Sequence, residues 1–153
     1  MRREYESGSK WAIWRWKDIT WNGELYLRRL HIFQCPWFSI LLHFIKTEDK
    51  QRHLHDHPVD MFCVVLKGAY CEDRGETREA GGYLWPKWRD VVFFNWIPAY
   101  RKHRITYLAL REQCITLCFC GPRKREWGFH TEDGWIPWRE YHAKYEGGTS
   151  GRN

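Results

Sequence analysis

The sequence predicts an all-β protein, folded as a single antiparallel β-barrel or jelly roll. Short runs rich in aromatic and β-branched residues recur about every 8–12 residues and are separated by turn residues, which is typical of antiparallel sandwiches and barrels. No long stretch has a convincing helical period, so the only helix we expect is a short one at residues 138–145.

Composition indicates one compact domain. The chain has 153 residues, enough for one core, and its 18% aromatic content, with 11 tryptophans, excludes a disordered chain. We expect a flexible leader at 1–10, the domain at 11–146 and a flexible tail at 147–153. We see no secretory signal and no apolar segment long enough to cross a bilayer, so the expected location is the cytoplasm, with no membrane contact.

Turn residues and apolar alternation divide the domain into strands. The first two form a hairpin, with arms at 11–16 and 25–33 and a turn at Trp21-Asn22-Gly23-Glu24. A charged turn at 46–52 and a second turn at 73–76 separate the strands that follow. These further strands are predicted at 37–45, 53–66, 69–72, 77–83, 91–96, 103–108 and 114–120.

Three histidines spaced two residues apart, His53, His55 and His57, precede the apolar run 62–66. In a strand this spacing puts all three rings on one face. Imidazole is the commonest side-chain ligand for transition metals, so a His-x-His pair is a natural half of a metal site. The other half needs a ligand from a distant strand, and His103 follows a tight connection at 98–102 that would fix its direction.

The spacing around these histidines resembles the first motif of the cupin superfamily, which runs His-x-His, three or four residues, glutamate, six residues, glycine. Here the series is His55, His57, Met61 and Gly68, so Met61 stands at the usual glutamate position. The motif's first glycine, six residues before His55, is replaced by Asp49.

The second cupin motif, Pro-x-Gly-x-x-His, is matched by Pro98, Tyr100 and His103, with tyrosine in place of glycine. The resemblance therefore implies a cupin-type barrel and a metal site on His55, His57 and His103. Asp60, next to Met61, is a candidate to support or replace a ligand.

A neutral three-histidine set leaves coordination positions open, and it resembles the iron sites of cupin thiol dioxygenases. Fe(II) is the favoured cofactor, with Zn, Ni and Mn as alternatives. We expect a metal-dependent enzyme acting on a small polar molecule, with an oxygenase first and an isomerase, lyase or hydrolase left open. The alternative is a non-catalytic binding module for a sugar or nucleotide, which the loss of glutamate at Met61 favours.

A closer resemblance, across about residues 25–141, is to small uncharacterised cupin-like proteins of phages and prophages. It implies the fold, a host-cell cytoplasm as location, and no assigned reaction. The segments that carry it are Pro36-Trp37-Phe38, Leu42-His43, Leu54-His55-Asp56-His57-Pro58, Lys67-Gly68-Ala69-Tyr70, His103-Arg104-Ile105 and the run from Gly121 to Phe129.

Other residues are candidates for the walls of the site. The pocket candidates are Met61, His43, His53, Tyr100 and Tyr107, and the anion-binding candidates are Arg123, Lys124 and Arg125. The net charge of +6 is spread along the chain, so nucleic-acid binding is less expected than a small ligand but stays open. The six cysteines lack paired spacing and are expected to be buried free thiols. A homodimer is expected by analogy with other cupins.

Overall fold

The computed structural model describes residues 11–78, 84–109 and 113–145. The predicted leader at 1–10 and tail at 147–153 lie outside the described residues, as does most of the predicted strand at 77–83. The elements are β1 (Ala12–Trp21), β2 (Glu24–Gln34), β3 (Ser39–Ile45), β4 (Leu54–His55), β5 (Met61–Lys67), β6 (Tyr70–Arg78), β7 (Leu84–Val91), β8 (Phe94–Ile97), β9 (Arg104–Leu108), β10 (Cys114–Cys120), β11 (Gly128–Thr131), β12 (Gly134–Pro137) and α1 (Trp138–Tyr145).

These strands form three antiparallel sheets. The large sheet has the order β1-β2-β3-β10-β5-β8, and the two small sheets have the orders β7-β6-β9 and β12-β11-β4. The antiparallel all-β prediction is confirmed, and the strand arrangement is consistent with a jelly roll. The predicted closed barrel is not observed in the described residues. Between the two small sheets the strand pairing is reduced to a single bridge, which joins His55 and His103.

The opening hairpin agrees with its prediction. Trp21 pairs with Glu24, which leaves a two-residue turn of Asn22 and Gly23 with φ angles of 48° and 85°. Two consecutive positive φ angles define a type I′ turn, whose twist matches that of the flanking strands. The Asn-Gly pair is the commonest sequence for this turn, so the local sequence fixes the register of β1 on β2.

Three predicted boundaries are wrong. The predicted strand at 53–66 is interrupted between β4 and β5, where Pro58 removes a backbone donor. The predicted turn at 73–76 lies inside β6, because a register shift between Asp73 and Glu76, with Gly75 at φ 86°, accommodates it as a bulge. The predicted strand at 91–96 is broken between Val91 and Phe94, which belong to β7 and β8.

In the β1–β3 part of the large sheet, the polar and apolar faces are exchanged relative to a typical half-buried sheet. The outer face of this part carries apolar side chains, and the inner face carries Lys17, Arg29 and His43, which line a cavity. One outer row crosses all six strands in register: Ile13, Phe33, Ile40, Phe119, Phe62 and Trp96.

Two buried apolar clusters flank the cavity, one around Leu27, Ile45 and Val91 and the other around Leu41 and Ile97. The six cysteines are free, and five of them are buried, which confirms their prediction as free thiols.

The predicted helix α1 is present and closes one end of the cavity. Tyr141 stacks on Phe129 with ring centroids 3.7 Å apart, and both belong to a cluster with Trp21. At Gly128 a side chain is excluded, because an added Cβ would lie 2.1 Å from the carbonyl oxygen of Ile136. In the described part of the chain no helix is long and apolar enough to span a bilayer.

Candidate metal centre

Three imidazoles converge inside the cavity. The ligand atoms of His55, His57 and His103 all lie within 4.8 Å of one another, and His57 Nε2 is 2.7 Å from His103 Nε2. His55, at the end of β4, exchanges two backbone hydrogen bonds with His103, of 2.9 and 2.8 Å. His57 follows in the loop, where its N–H donates to the carbonyl of Ala99. Two strand ends and one loop therefore bring the rings together.

Asp56 fixes the loop that carries two of these histidines. It is fully buried, and its carboxylate accepts hydrogen bonds from Gly128 N (2.9 Å), Trp135 Nε1 (3.0 Å) and His130 Nε2 (3.0 Å). Arg125 lies 3.1 Å from the same carboxylate. The β11–β12 hairpin is thereby attached to the metal-site loop by one side chain.

Glu72 orients the third histidine, and it was missed in the sequence. Its buried carboxylate accepts a 2.8 Å hydrogen bond from His103 Nδ1, and it also bonds Arg74 and Asn95. A proton on Nδ1 leaves a lone pair on His103 Nε2, the atom that faces the cluster. The available signal was strand alternation, since Tyr70 and Glu72 both fall on the buried face of β6.

Burial favours the neutral form of His55 and His57. As the largest cause, it lowers the pKa of His55 to about 4 and the pKa of His57 well below its usual value, and the neighbouring rings act on His57 in the same direction. Burial alone would raise the pKa of Glu72, but the hydrogen bond from His103 and the charge of Arg74 outweigh it and lower the pKa to about 2. Neutral imidazole is the form that binds metals.

A cavity of about 940 Å³ contains the three histidines, and the predicted pocket residues divide around it. His43 and Met61 line the cavity. His53 points away, with Nδ1 2.8 Å from the hydroxyl of Tyr141 and Nε2 3.0 Å from Glu132. His53 is therefore separated from His55 and His57, because the chain bends at residues 52–53, before β4 begins.

Tyr100 and Tyr107 lie outside the cavity lining, which corrects their assignment as pocket candidates. Tyr100 is 75% exposed in the turn closed by a hydrogen bond from Arg101 N to the carbonyl of Pro98. Tyr107 is 54% exposed because β9 alternates and buries Leu108.

The predicted anion-binding residues have different surroundings. Lys124 forms an ion pair with Asp60, and Arg125 forms one with Asp56. Asp60 also accepts a 2.8 Å hydrogen bond from Ala99 N, so it fastens the loop and is not part of the histidine cluster. Arg123 lines a second, small cavity of about 70 Å³.

A row of interacting polar side chains on the cavity wall formed by the large sheet was also not predicted from the sequence. Arg29 Nε donates a 2.9 Å hydrogen bond to His43 Nε2, and His43 Nδ1 lies 3.5 Å from the sulfur of Cys118. All three residues line the large cavity. The sequence pattern indicated His43 alone, because only register across β2, β3 and β10 brings the other two beside it.

The fold and the site together define the class of this protein: an antiparallel β domain, consistent with a jelly roll, whose cavity contains a candidate metal centre. Its fold is that of the cupin domains. A cupin-2 domain from Rhodospirillum rubrum matches with a TM-score of 0.53 at 14% identity, over 87% of this chain and 86% of that one. No protein-family model matches the chain, and no curated protein matches it.

The iron(II) enzyme HppE has the same fold in part. Fe(II)-HppE with the alternative substrate (S)-1-HPP matches with a TM-score of 0.54 at 12% identity, over 69% of this chain and 55% of that one. The chain therefore spans about half the length of HppE. At these identities the likeness establishes the fold, and the chemistry must be argued from the site.

Proposed function

We propose that this protein is a metal-dependent cupin enzyme acting on a small polar molecule, with one divalent metal on His55, His57 and His103. An Fe(II) oxygenase-like reaction is the first candidate, and an isomerase, lyase or hydrolase using Zn, Ni or Mn is the next. The observation that carries the proposal is the convergence of three imidazoles in one cavity, two of them with ring nitrogens 2.7 Å apart. We also propose that residues 11–146 form its single domain.

The donor set fits such a metal. With a proton on His103 Nδ1, two ring nitrogens at 2.7 Å require a proton or a cation between them. Three imidazoles suit Fe(II), Zn or Ni and leave coordination positions open, while the thioether of Met61 is a poor ligand for hard ions. When bound, Fe(II) would supply redox chemistry toward dioxygen, and Zn would supply Lewis-acid polarisation. HppE, which has the same fold, is described with Fe(II) and a substrate.

The residues around the cluster have separate tasks in this proposal. Glu72 holds the proton on His103 Nδ1 and adds the negative charge that Met61 does not provide. Phe129 and Trp127 pack against His55 and exclude water from one side, with centroids 5.9 and 6.2 Å away. The cavity of about 940 Å³ has room for a small molecule beside the cluster.

Metal content tests the proposal. Untagged protein, loaded anaerobically with Fe(II) and desalted, is expected to retain about one metal per chain by mass spectrometry. His103→Ala is expected to lose it, because two imidazoles do not make a stable site. His53→Ala is the matched control, since His53 belongs to the same sequence triplet but bonds Tyr141 and Glu132.

Two results would contradict the metal site: no stoichiometric metal in the wild type, or full metal content in His103→Ala. The alternative, a non-catalytic binding module, is favoured by Met61 at the usual glutamate position. Nitric oxide added to the Fe(II) protein separates the two functions, because it binds only where a coordination position is open. An iron–nitrosyl resonance supports the enzyme, and its absence supports the binding module.

We further propose a homodimer through the outer face of the large sheet. The row from Ile13 to Trp96 contains no charged side chain. A second row, Trp16, Leu30, Leu42, Leu117, Val64 and Phe94, runs beside it, and Leu30 is its buried member. Six strands spaced ~4.8 Å apart extend ~24 Å, so the two rows form a continuous apolar band across the sheet. A contiguous exposed apolar band of this kind is typical of a protein–protein contact.

Sedimentation tests the dimer. Wild-type protein is expected to sediment as a dimer, and Trp96→Glu is expected to sediment as a monomer, because it buries a charge within the apolar contact. Trp88→Glu is the matched control: Trp88 is also exposed but lies on β7 in a different sheet. A monomeric wild type at all concentrations, or equal behaviour of both variants, would refute this interface.

A further inference from the structure

A row of cations crosses the inner face of the large sheet. Lys17 on β1 pairs with Arg29 on β2, and Arg29 pairs with His43 on β3. Adjacent strands are ~4.8 Å apart, so these side chains stand side by side along one wall. All three residues line the same cavity as the three-histidine cluster. The wall and the candidate metal centre therefore face one space.

The guanidinium of Arg29 is held in a fixed orientation. Its Nε donates a 2.9 Å hydrogen bond to His43 Nε2, which sets the plane of the group. Arg29 also lies near the metal centre, since Arg29 and His57 together line the second, small cavity of about 70 Å³. A fixed guanidinium offers paired N–H donors that match the oxygens of a carboxylate or phosphate.

The cavity wall has an excess of positive charge. Burial, as the largest cause, lowers the pKa of Lys17 to about 8, and the charges of Arg29 and Arg15 act in the same direction. Two acids line the cavity among the described residues, and both are engaged. Asp18 accepts two hydrogen bonds from Arg28, and Asp49 accepts one from Ile105 N.

We propose that the cavity takes a small anionic molecule, whose acid group binds Arg29 and Lys17 while its other end faces the three histidines. The inference rests on the proposed function, because it names the class of molecule that the metal centre would act on. Carboxylates and phosphates share the chemistry that this wall recognises. The proposal also places part of the net charge of +6 at the wall of the cavity.

Calorimetry with simple anions tests whether this cavity wall binds an acid group. Malonate and inorganic phosphate are titrated into metal-free and Zn-loaded protein, with malonamide as the uncharged analogue of malonate. We expect saturable binding of one or both anions and no binding of malonamide at the same concentrations. Metal-free protein matters here, because malonate can bind a metal directly. Tighter binding of malonate indicates a carboxylate ligand, and tighter binding of phosphate indicates a phosphate ligand.

Arg29→Gln is expected to weaken anion binding by about tenfold or more, since a charge-assisted bidentate contact is lost. Arg52→Gln is the matched control, because Arg52 is 70% exposed, pairs with Glu132 and does not line the cavity. Lys17→Gln is a second variant for use if Arg29→Gln does not fold, as judged by circular dichroism. It is expected to weaken binding in the same direction.

Equal anion affinity in wild type, Arg29→Gln and Lys17→Gln would overturn the inference, and so would binding of malonamide as tight as that of malonate. Absence of anion binding by the wild type would also overturn it. The metal site is tested separately, by measuring the metal content of the protein. Protein that binds anions but no metal refutes the proposed function, whereas protein that binds metal but no anion refutes only this inference.

Discussion

Replacing Glu72 with Gln is expected to lower the free energy of unfolding by about 3–5 kcal/mol and metal affinity by about 10- to 100-fold. The carboxylate is fully buried, and the guanidinium of Arg74 beside it is 10% exposed. A neutral amide leaves that cation without its counter-charge in a site with little water. It also replaces the acceptor that holds the proton on His103 Nδ1. Urea unfolding and a competitive metal titration measure the two effects.

A second variant separates stability from metal binding. In Glu72→Gln/Arg74→Met the unpaired cation is removed, so stability is expected to recover by a substantial part of the loss. Metal affinity is expected to stay low, because His103 still lacks its carboxylate. If affinity recovers together with stability, Glu72 has only a structural role. If the single variant changes neither quantity, the carboxylate does not hold the site.

The same residue predicts the acid sensitivity of the fold. Its pKa is about 2 in the folded protein and 4.5 as the ordinary value, so the unfolded chain binds the proton first as the pH falls. The stabilisation is fully present above about pH 4.5 and is lost as the pH falls toward 2. The wild type should therefore lose more stability across this range than Glu72→Gln/Arg74→Met, which lacks the titrating group.

Asp56→Ala is expected to destabilise the protein by about 3–5 kcal/mol, because several groups lose one shared acceptor. Gly128 N and Trp135 Nε1 would lose the 2.9 and 3.0 Å hydrogen bonds, and Arg125 would lose its counter-charge. Each buried donor left without a partner costs about 1–3 kcal/mol. Metal content should fall as well, since the loop that carries two of the ligands is no longer fixed.

Asp133→Ala is the matched control for this prediction. Asp133 is also an aspartate beside the β11–β12 hairpin, but its side chain is 84% exposed and 3.9 Å from Lys144. Exposed ion pairs contribute about 0–1 kcal/mol, so the control should unfold almost as the wild type does. Equal unfolding curves for both variants, recorded by fluorescence in urea, would show that the loop is held by other contacts.

Much of the fold was predictable because it depends on local signals. Neighbouring residues alone determine three of these features: the type I′ turn at Asn22-Gly23, the alternation in β10 and the short helix α1. Of the misplaced boundaries, the one at Pro58 has a local cause, whereas the one at Gly75 depends on distant partners. Nothing local distinguishes a bulge at Gly75 from a turn, because the difference is whether β7 and β9 pair on either side.

The histidine cluster was predictable for a different reason, since the cupin motifs encode a tertiary contact as a spacing. That spacing alone groups His55 and His57 with His103, although 46 residues separate His57 from His103 along the chain. Glu72 and Arg29 carry no such motif, and each acquires its role from register across the sheets. Tyr100 was predicted in the pocket because it is close to His103 in the sequence, but it is exposed and does not line the cavity.

The turn at Asn22-Gly23 has a consequence far from its position. Because side chains alternate along a strand, a slip of one residue between β1 and β2 would exchange the two faces of β1. Lys17 would then no longer stand beside Arg29, and a neighbour such as Trp16 would take its place. Two residues with positive φ thus help to determine whether an entering ligand meets a second cation beside Arg29.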